Sequence, residues 1–536
     1  MALSVPARAK TISGALMIKV VDIFAGPGGL GEGFSSVMDS RGRPAFDVAL
    51  SVEMEHNAFQ TLCLRKFYRQ FSAGAPSRYY KHLRGELSRS DLYEAHPVEA
   101  KRAAAHCWNA RLGPGGEPSH TVRDHIDGVV GRHESWVLIG GPPCQAYSLA
   151  GRSRNLGNPD YDAKQDVRQR LYVEYLQILA EHRPSVFVME NVKGLLSATL
   201  ENVHMSQRIL SDLRNPHAAL RREGRISRRG SSGGYRIYSL AEQRMFENGD
   251  MAASLVKSEK YGIPQARHRV ILLGVRDDLN VSPNVLTPQP EVSVFSVIGN
   301  LPHLRSGLSK TEDSPQTWRH CLRAQADSRW ANVGTRKADS DALSRLVRKA
   351  LLGIEPPSAN RGGEFVVGDS TPEYAKAWYC DNKIGGVCNH STRGHMQSDL
   401  FRYLYAACYA KLHGKSPSLQ NFPSDLLPNH GSVDTALENG GNFSDRFRVQ
   451  VAERPSTTIV SHISKDGHYY IHPDPAQCRS LTVREAARLQ TFPDNYLFSG
   501  PKTAQYVQVG NAVPPLLAKQ IGDIVLDVLQ RVGAND

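Results

Sequence analysis

One cysteine of the chain stands where a catalytic nucleophile would be expected. Cys144 follows two glycines and two prolines, directly beyond the apolar run WVLI at 136–139. Ligands of open parallel sheets bind just past the carboxyl ends of the strands, and the prolines restrict the backbone that carries the thiol. A thiolate beside a cation is a nucleophile, whereas a lone cysteine is more often a small buried core residue. The prolines and the position after a strand favour the catalytic interpretation.

A carboxylate and two arginines occupy comparable places further along the chain. Glu190 ends the apolar run SVFVME, and Arg267 and Arg269 lead into the run RVILLGV. Alternation along a strand places the two arginine side chains on the same side. Taken alone, Glu190 fits a capping or solvated acid, and the arginines fit a surface ion pair. Beside Cys144, the three side chains could orient a polar planar ring and stabilise charge that develops on it.

A glycine-rich turn follows the first apolar run of the chain. Gly26, Gly28 and Gly31 have the GxGxxG spacing, after the run IKVVDIFA and before a helical segment. This arrangement allows a tight turn and a close approach of the backbone to a ligand at the start of a helix. Glu53 ends the next apolar run, where a carboxylate could hold a ribose diol. The glycine spacing and Glu53 alone would equally fit a nicotinamide or flavin enzyme.

Short apolar runs alternate with helical segments in the first half of the chain, which predicts an α/β fold with a doubly wound, mostly parallel Rossmann-like sheet. The predicted strands are 18–24, 48–52, 136–139, 185–190, 235–240, 254–258 and 269–275, and the predicted helices are 56–71 and 168–182. Residues 72–134 show no clear strand and are predicted to be a mostly helical insertion. The arginine-rich segment 221–234 is interpreted as a surface loop, with a phosphate-contacting arm as the alternative.

The sequence pattern changes twice in the second half of the chain. Residues 18–280 are predicted to form the catalytic domain, and 281–450 a second, smaller domain with helices near 339–353 and 396–412. Residues 451–530 are predicted to return to the first domain through a β-like stretch at 457–464 and helices at 481–490 and 514–532.

Composition narrows the class of protein. The 536 residues include 65 Lys plus Arg against 53 Asp plus Glu, a net charge of +12 that fits a polyanionic partner. The eight cysteines are scattered, which suits a reducing compartment, and Cys380, Cys388 and His390 lack the paired spacing of a metal site. No apolar run approaches about 18 residues, so no membrane span is expected.

Several short motifs together resemble the ordered motifs of the cytosine-C5 DNA methyltransferase family. They are FAGPGGL at 24–30, GPPCQAYS at 141–148, ENV at 190–192, QARHR at 265–269, RPSTT at 454–458 and GNAVPP at 510–515, with SDRFRVQ at 444–450 and EAARLQTFPDNY at 485–496. The resemblance extends from about residue 19 to 525 and is interrupted by 72–134 and 280–440. Any one motif is modest evidence, but their common order leaves little room for coincidence.

The resemblance implies a site and a chemistry. Cys144 would attack the cytosine ring, Glu190 would contact the base edge, and Arg267 and Arg269 would hold the base. The S-adenosylmethionine pocket would be lined by Phe24, Gly26, Gly28, Leu30, Glu53, Asn511 and Val513. No metal is expected. In the family an acidic residue between Glu53 and the cysteine contacts the cofactor's adenine, and here Glu86 and Asp124 compete for that role.

The resemblance also implies a partner and a setting. Double-stranded DNA would be the substrate, with one cytosine flipped out at a cost of a few kcal/mol. The segment 148–167 would close over that base, and the 281–450 domain would recognise the target. We expect a monomer in a prokaryotic cytoplasm, associated with the nucleoid and possibly paired with a restriction endonuclease. The alternatives are an RNA cytosine-C5 methyltransferase of the same family, a catalytically silent DNA-binding relative, and a dinucleotide-dependent oxidoreductase.

Overall fold

The computed structural model describes residues 17–131, 135–142, 167–200, 203–225, 227, 233–247, 251–332, 339–429, 433 and 444–533. Cys144, residues 148–166 of the predicted loop 148–167, and part of the arginine-rich segment 221–234 lie outside the described residues. Predictions that concern them therefore stay predictions.

The centre of the fold is a mixed sheet of strands in the order β3-β2-β1-β4-β5-β8-β6, with β7 pairing on β8. The strands are β1 (Ile18–Ile23), β2 (Phe46–Glu53), β3 (Cys107–Asn109), β4 (Trp136–Gly140), β5 (Val186–Val192), β6 (Tyr235–Ser239), β7 (Leu255–Lys257) and β8 (His268–Arg276). The first five are mutually parallel, whereas β8 runs antiparallel to β5, β6 and β7. The predicted α/β fold with a mostly parallel Rossmann-like sheet is confirmed.

The longer helices are α1 (Gly29–Phe34), α2 (His56–Tyr68), α3 (Ser77–Leu83), α4 (Arg89–Ala95), α5 (Pro97–Ala105), α6 (Ser119–Val130), α7 (Val167–His182), α8 (Met205–Arg214), α9 (Pro216–Arg222), α10 (Pro315–Arg323), α11 (Asp339–Gly353), α12 (Gln397–His413), α13 (Val483–Leu489), α14 (Lys502–Asn511) and α15 (Pro515–Gly533). Short helices span Phe295–Ile298, Arg329–Asn332 and Lys376–Tyr379. Single 3-10 turns span Lys193–Ser197, Ala252–Ser254, Ser258–Lys260, Leu419–Asn421, Ser424–Leu426 and Ser461–Ser464.

Both faces of the sheet are covered by helices, which explains why its strands are apolar along their whole length. Val21 and Leu138 point into a core that α6, α7 and α8 complete. Val20 and Val137, their neighbours in sequence, point into a second core with α1 and α15. All four side chains are fully buried. The last helix of the chain is therefore part of the same layered unit as its first strand.

The segment 72–134 is mostly helical, but it also supplies a strand that the sequence did not reveal. β3 pairs in parallel with β2 and forms an edge of the central sheet. Its three residues are too few to show a periodic pattern. The preceding helices α3 to α5 pack around Tyr79 and Phe67 in a cluster that also contains Ile384 and Cys388 from the second half of the chain.

The second half forms a lobe around α10, α11 and α12, whose core includes Trp318, Leu351 and Tyr403. The predicted helices near 339–353 and 396–412 are confirmed as α11 and α12. The lobe also contains an antiparallel pair, β9 (Gly362–Val367) and β10 (Gly386–Ser391). Further short pairs join Gly307–Leu308 with Gly394–His395, Gln265–Ala266 with Ser456–Thr457, and Thr199–Leu200 with Val203–His204. The β-like stretch predicted at 457–464 is wrong for most of its length, since a 3-10 turn spans Ser461–Ser464.

Two buried arginines of α13 join the lobe to the rest of the fold. Arg484 donates to the backbone carbonyl oxygens of Cys388, at 2.9 Å, and Tyr496, at 2.7 Å. Arg488 donates to the carbonyl of Val297 at 3.0 Å and to that of Ser370 at 2.5 Å. Both guanidinium groups are fully excluded from solvent. At α13 the lobe is therefore held through hydrogen bonds from arginine to backbone.

In the described part of the chain, none of the helices is long and apolar enough to cross a membrane. Within the same residues, no three His, Cys, Asp or Glu side chains are grouped so that they could hold a metal ion.

Candidate active site

The turn after β1 has an unusual backbone that brings it close to the last segment of the chain. Phe24, Gly26 and Gly28 have φ angles of 55°, 57° and 95°. Phenylalanine is strained in this left-handed region, and such strain is typical of ligand-binding turns. A Cβ on Gly29 would lie 2.2 Å from the carbonyl oxygen of Val513, so only glycine allows this approach. The glycines of FAGPGGL and the GNAVPP segment therefore meet.

Glu53 is fixed against this turn by two backbone N–H groups. Its Oε2 accepts a hydrogen bond from Gly26 at 2.8 Å, and its Oε1 accepts one from Glu55 at 2.7 Å. Burial raises the pKa of the carboxyl above its ordinary value, and the backbone donors oppose that rise. An ionised carboxylate has about four acceptor positions. Glu53 can thus hold the turn and still accept hydrogen bonds from a diol.

The remaining predicted pocket residues differ in exposure. Leu30 and Val513 are buried in the same core, 7% and 8% exposed. Asn511 ends α14 and is exposed. Of this predicted set, Asn511 is thus the side chain that is most open to solvent.

Asn109 is a polar residue at this edge that the sequence analysis missed. It ends β3 directly beside Glu53, and its Nδ2 donates to the carbonyl oxygens of Glu53 at 2.8 Å and Met54 at 3.2 Å. Glu86 is exposed in the turn between α3 and α4, and the side chain of Asp124 is 71% exposed on α6. Neither acid lies at the carboxyl end of a strand. Recognition of β3 would have been needed to find Asn109.

Glu190 and Arg269 form an ion pair at the same edge of the sheet. Arg269 lies at the start of β8, which is antiparallel to β5, so it faces the end of β5 that carries Glu190. The Arg269 Nε is 2.9 Å from the Glu190 Oε1, and each side chain is 15% exposed. A Cβ on Gly141 would lie 3.0 Å from the Glu190 Oε2. The first residue of GPPCQAYS therefore rests on this carboxylate.

The last described residue before Cys144 is held in the same place. Asn191 donates through its Nδ2 to the carbonyl oxygen of Pro142 at 3.4 Å. In sequence, only Pro143 separates Pro142 from Cys144. The site therefore lies between β1, β4 and β5, where the strand order reverses and ligands of such sheets bind.

Arg267 makes different contacts from Arg269. Its Nη1 donates to the carbonyl oxygens of Ile459, at 2.8 Å, and Gly510, at 3.3 Å. Burial, with the neighbouring charge of Arg269, lowers the pKa of Arg267 to about 9. Its Nε is buried without a hydrogen-bond partner among the described residues. Arg267 thus links the QARHR and GNAVPP segments, and its contact with the base stays a prediction.

Comparison with known proteins decides the family. The model of the C-5 cytosine-specific DNA methylase family matches residues 99–216 and 248–526. The chain belongs to this family. It is a DNA (cytosine-5-)-methyltransferase, so the oxidoreductase alternative is excluded, and the description of the family favours DNA over the RNA alternative.

Curated relatives match between 74% and 95% of the methyltransferase. The type II methyltransferase M.Bpa9945I of Bacillus paralicheniformis is 32% identical over 95% of this chain and 99% of its own length. The type II methyltransferase M.AgeI of Thalassovita gelatinovora is 25% identical over 95% and 99%. The DNA (cytosine-5-)-methyltransferase M.ApeKI of Aeropyrum pernix is 28% identical over 74% and 82%.

Proposed function

We propose that this methyltransferase acts through Cys144 on carbon 5 of a flipped cytosine, as the modification enzyme of a restriction–modification system. The Glu190–Arg269 pair, in contact with the first residue of the Cys144 motif, is the observation that carries the proposal. It puts an oriented carboxylate beside the backbone that leads to the thiol. The type II names of the relatives support the biological setting.

The turn after β1 fits S-adenosylmethionine. A Cβ on Gly26 would meet nothing within 4 Å, which leaves room for a ligand at the turn, and Glu53 keeps acceptor positions for the ribose hydroxyls. We assign Phe24, Leu30, Val513 and Asn511 to the same pocket, and Asn109 to the adenine end in place of Glu86 or Asp124. Asn109 offers an amide where the family has an acid, so it could pair with the adenine edge without a charge. When bound, S-adenosylmethionine supplies the methyl group.

The residues divide the chemistry among them. Cys144, as the thiolate, forms a bond to carbon 6 of cytosine, which makes carbon 5 nucleophilic enough to accept the methyl group. Glu190 accepts a hydrogen bond from the N4 amino group and, once protonated, donates its proton to N3, which stabilises the negative charge that develops on the ring. Arg269 holds the Glu190 carboxylate in its orientation. Transfer of the proton from carbon 5 to solvent and expulsion of the Cys144 thiolate from carbon 6 then release the product.

The remaining parts of the chain receive roles by the same proposal. Residues 18–280 with 451–530 form the catalytic domain, and 281–450 form the target-recognition domain for duplex DNA. The segment 148–167 closes on the flipped base, and Arg267 supports the base pocket. The enzyme acts as a monomer. It acts at the nucleoid of a prokaryotic cytoplasm, because its substrate is chromosomal DNA. A restriction endonuclease accompanies it.

A trapping experiment tests the central step. Bisulfite sequencing of a host that expresses the chain first maps the methylated site. A duplex carrying 5-fluorocytosine at that position is then incubated with enzyme and S-adenosylmethionine, because fluorine at carbon 5 blocks the final elimination. We expect a covalent complex on a denaturing gel with the native enzyme and none with Cys144→Ser. A native enzyme that methylates the site but is never trapped would contradict the role of Cys144.

A further inference from the structure

A chain of four polar side chains runs through the interior from the cofactor turn to the recognition lobe. Arg65 of α2 binds Glu32 of α1 through two hydrogen bonds, Nε to Oε2 at 2.8 Å and Nη2 to Oε1 at 2.6 Å. Its Nη1 donates to the Oδ1 of Asn495 at 2.9 Å. The Nδ2 of Asn495 then donates to the Oδ2 of Asp381, in the lobe, at 2.9 Å. The interlobe chain (Glu32, Arg65, Asn495 and Asp381) is continuous.

The interlobe chain is buried and charged. Glu32, Arg65 and Asn495 are 4%, 7% and 7% exposed. Burial opposes ionisation of Glu32, but Arg65 and Arg69 outweigh it and lower its pKa to about 2. The carboxylate therefore stays ionised at every pH at which the enzyme would work. A buried ion pair adds little net stability, and fixing one arrangement of packed parts is the best-supported use of such groups.

The same segment of the chain also touches the cofactor turn directly. Tyr496, the residue after Asn495, donates its hydroxyl to the carbonyl oxygen of Pro27. A Cβ on Gly28 would lie 3.0 Å from that hydroxyl oxygen, so the phenol closely supports the turn from behind. The guanidinium carbon of Arg65 lies 4.9 Å from the centre of the Tyr496 ring. A shift of the turn would therefore move residues 495–496 against both Arg65 and the lobe.

The helical segment 72–134 contributes to the lobe end of the interlobe chain. Tyr80 of α3 donates its hydroxyl to the Oδ2 of Asp381 at 2.8 Å, the same oxygen that Asn495 contacts. Tyr80 is 5% exposed, and Asp381 is half-buried. Asp381 is thus held by donors from two different parts of the catalytic domain. The position of Asp381 therefore depends on both of these parts.

We propose that the interlobe chain couples the cofactor turn to the recognition lobe, so that cofactor and duplex DNA each strengthen the binding of the other. The proposal depends on the proposed function, in which the turn binds S-adenosylmethionine and the lobe binds DNA. Glu32, Arg65 and Asn495 form a rigid connection because each is held by charge or by two hydrogen bonds. Coupling between two binding sites is reciprocal, so both affinities must change by the same factor.

The test is a thermodynamic cycle. The probes are S-adenosylhomocysteine and a fluorescent duplex that carries the site mapped by bisulfite sequencing. The Kd for the duplex is measured with and without S-adenosylhomocysteine, and the Kd for S-adenosylhomocysteine with and without the duplex. For the native enzyme we expect the two ratios to agree and to exceed about fivefold. Asp381→Ala removes the lobe end of the interlobe chain, and we expect both ratios to fall about threefold or more.

Two further variants keep the test interpretable. Tyr80→Phe removes one hydroxyl and is expected to lower both ratios by a smaller factor. This milder variant keeps the test usable if Asp381→Ala fails to fold. Glu355→Ala is the matched control, since this exposed carboxylate of the same lobe is bound only by Arg319 and Arg323 among the described residues. We expect it to leave both ratios unchanged.

The outcomes separate the coupling from the proposed function. A native enzyme that methylates DNA but shows ratios of one overturns the coupling alone. Unchanged ratios in folded Asp381→Ala and Tyr80→Phe also overturn it. A native enzyme that neither binds S-adenosylhomocysteine nor methylates DNA overturns the proposed function, and the coupling with it.

Discussion

Replacing Arg269 with alanine removes the cation that orients Glu190 at the edge of the sheet. The bond from Nε to Oε1 is 2.9 Å long, and both side chains are only 15% exposed, so water screens the pair weakly. A hydrogen bond between charged groups contributes about 1.5–3 kcal/mol. Glu190 acts on the base during the reaction, so the loss should appear in the transition state. At 1.36 kcal/mol per tenfold change in rate, kcat/KM should fall about 10- to 150-fold.

The assay follows transfer of a radiolabelled methyl group to a duplex that carries the mapped site. We expect kcat to fall while the Kd for S-adenosylhomocysteine changes less than about threefold, because Arg269 is proposed to orient Glu190, which acts on the base and not on the cofactor. Arg276→Ala is the matched control. Arg276 lies at the other end of the same strand, and its Nε also binds a carboxylate oxygen, that of Asp278, at 2.6 Å.

The control should retain the native kcat. If Arg269→Ala also kept kcat within about threefold of native, the assignment of Arg269 as the residue that orients Glu190 would be refuted. A large rise in the Kd for the cofactor with unchanged kcat would instead move Arg269 out of the base pocket.

Three other predictions follow from separate observations. Gly29→Ala would place a Cβ 2.2 Å from the carbonyl oxygen of Val513, so we expect calorimetry to show a loss of about 1–3 kcal/mol of stability and weaker S-adenosylhomocysteine binding; a native Tm would contradict the close approach. Burial raises the pKa of Asp22 from 3.8 to about 7. The contribution of Asp22 to stability is therefore complete below pH 3.8 and is lost as the pH rises through 7. Asp22→Asn should raise Tm more at pH 8 than at pH 5, and an equal change at both pH values would be inconsistent with this pKa. Asn109→Ala should weaken S-adenosylhomocysteine binding about tenfold in a titration, whereas Glu86→Ala should leave it unchanged; the opposite order would return the adenine role to Glu86.

Long apolar elements were predictable from the sequence, and short ones were not. β5 and β8 have seven and nine residues and are buried on both faces, so their apolar runs stand out. β3 has three residues, and its place in the sheet depends on pairing with β2 rather than on its own composition. Asn109 was missed for the same reason.

The residues of the candidate site that lie at strand ends were predictable from the sequence. The position of Glu190 at the edge of the sheet was predictable because it ends an apolar run, and a parallel sheet brings such ends together. The different surroundings of Arg267 and Arg269 did not follow from their shared motif. The partners of Arg267 are carbonyls of Ile459 and Gly510, far away in sequence, and no local pattern encodes such contacts.

The arginines of α13 have a consequence for how lobes of this kind can diverge. Arg484 and Arg488 bind mainly peptide oxygens of the facing segments, which every amino acid supplies. The side chains of Cys388 and Val297 can therefore be replaced without loss of an acceptor, as long as the path of the backbone is kept. At Ser370 the backbone acceptor would remain, although its Oγ also accepts from Arg488, at 3.1 Å. Whether a chimaera with a foreign lobe folds should therefore depend on the path of its main chain at these three positions, and little on which amino acids stand there.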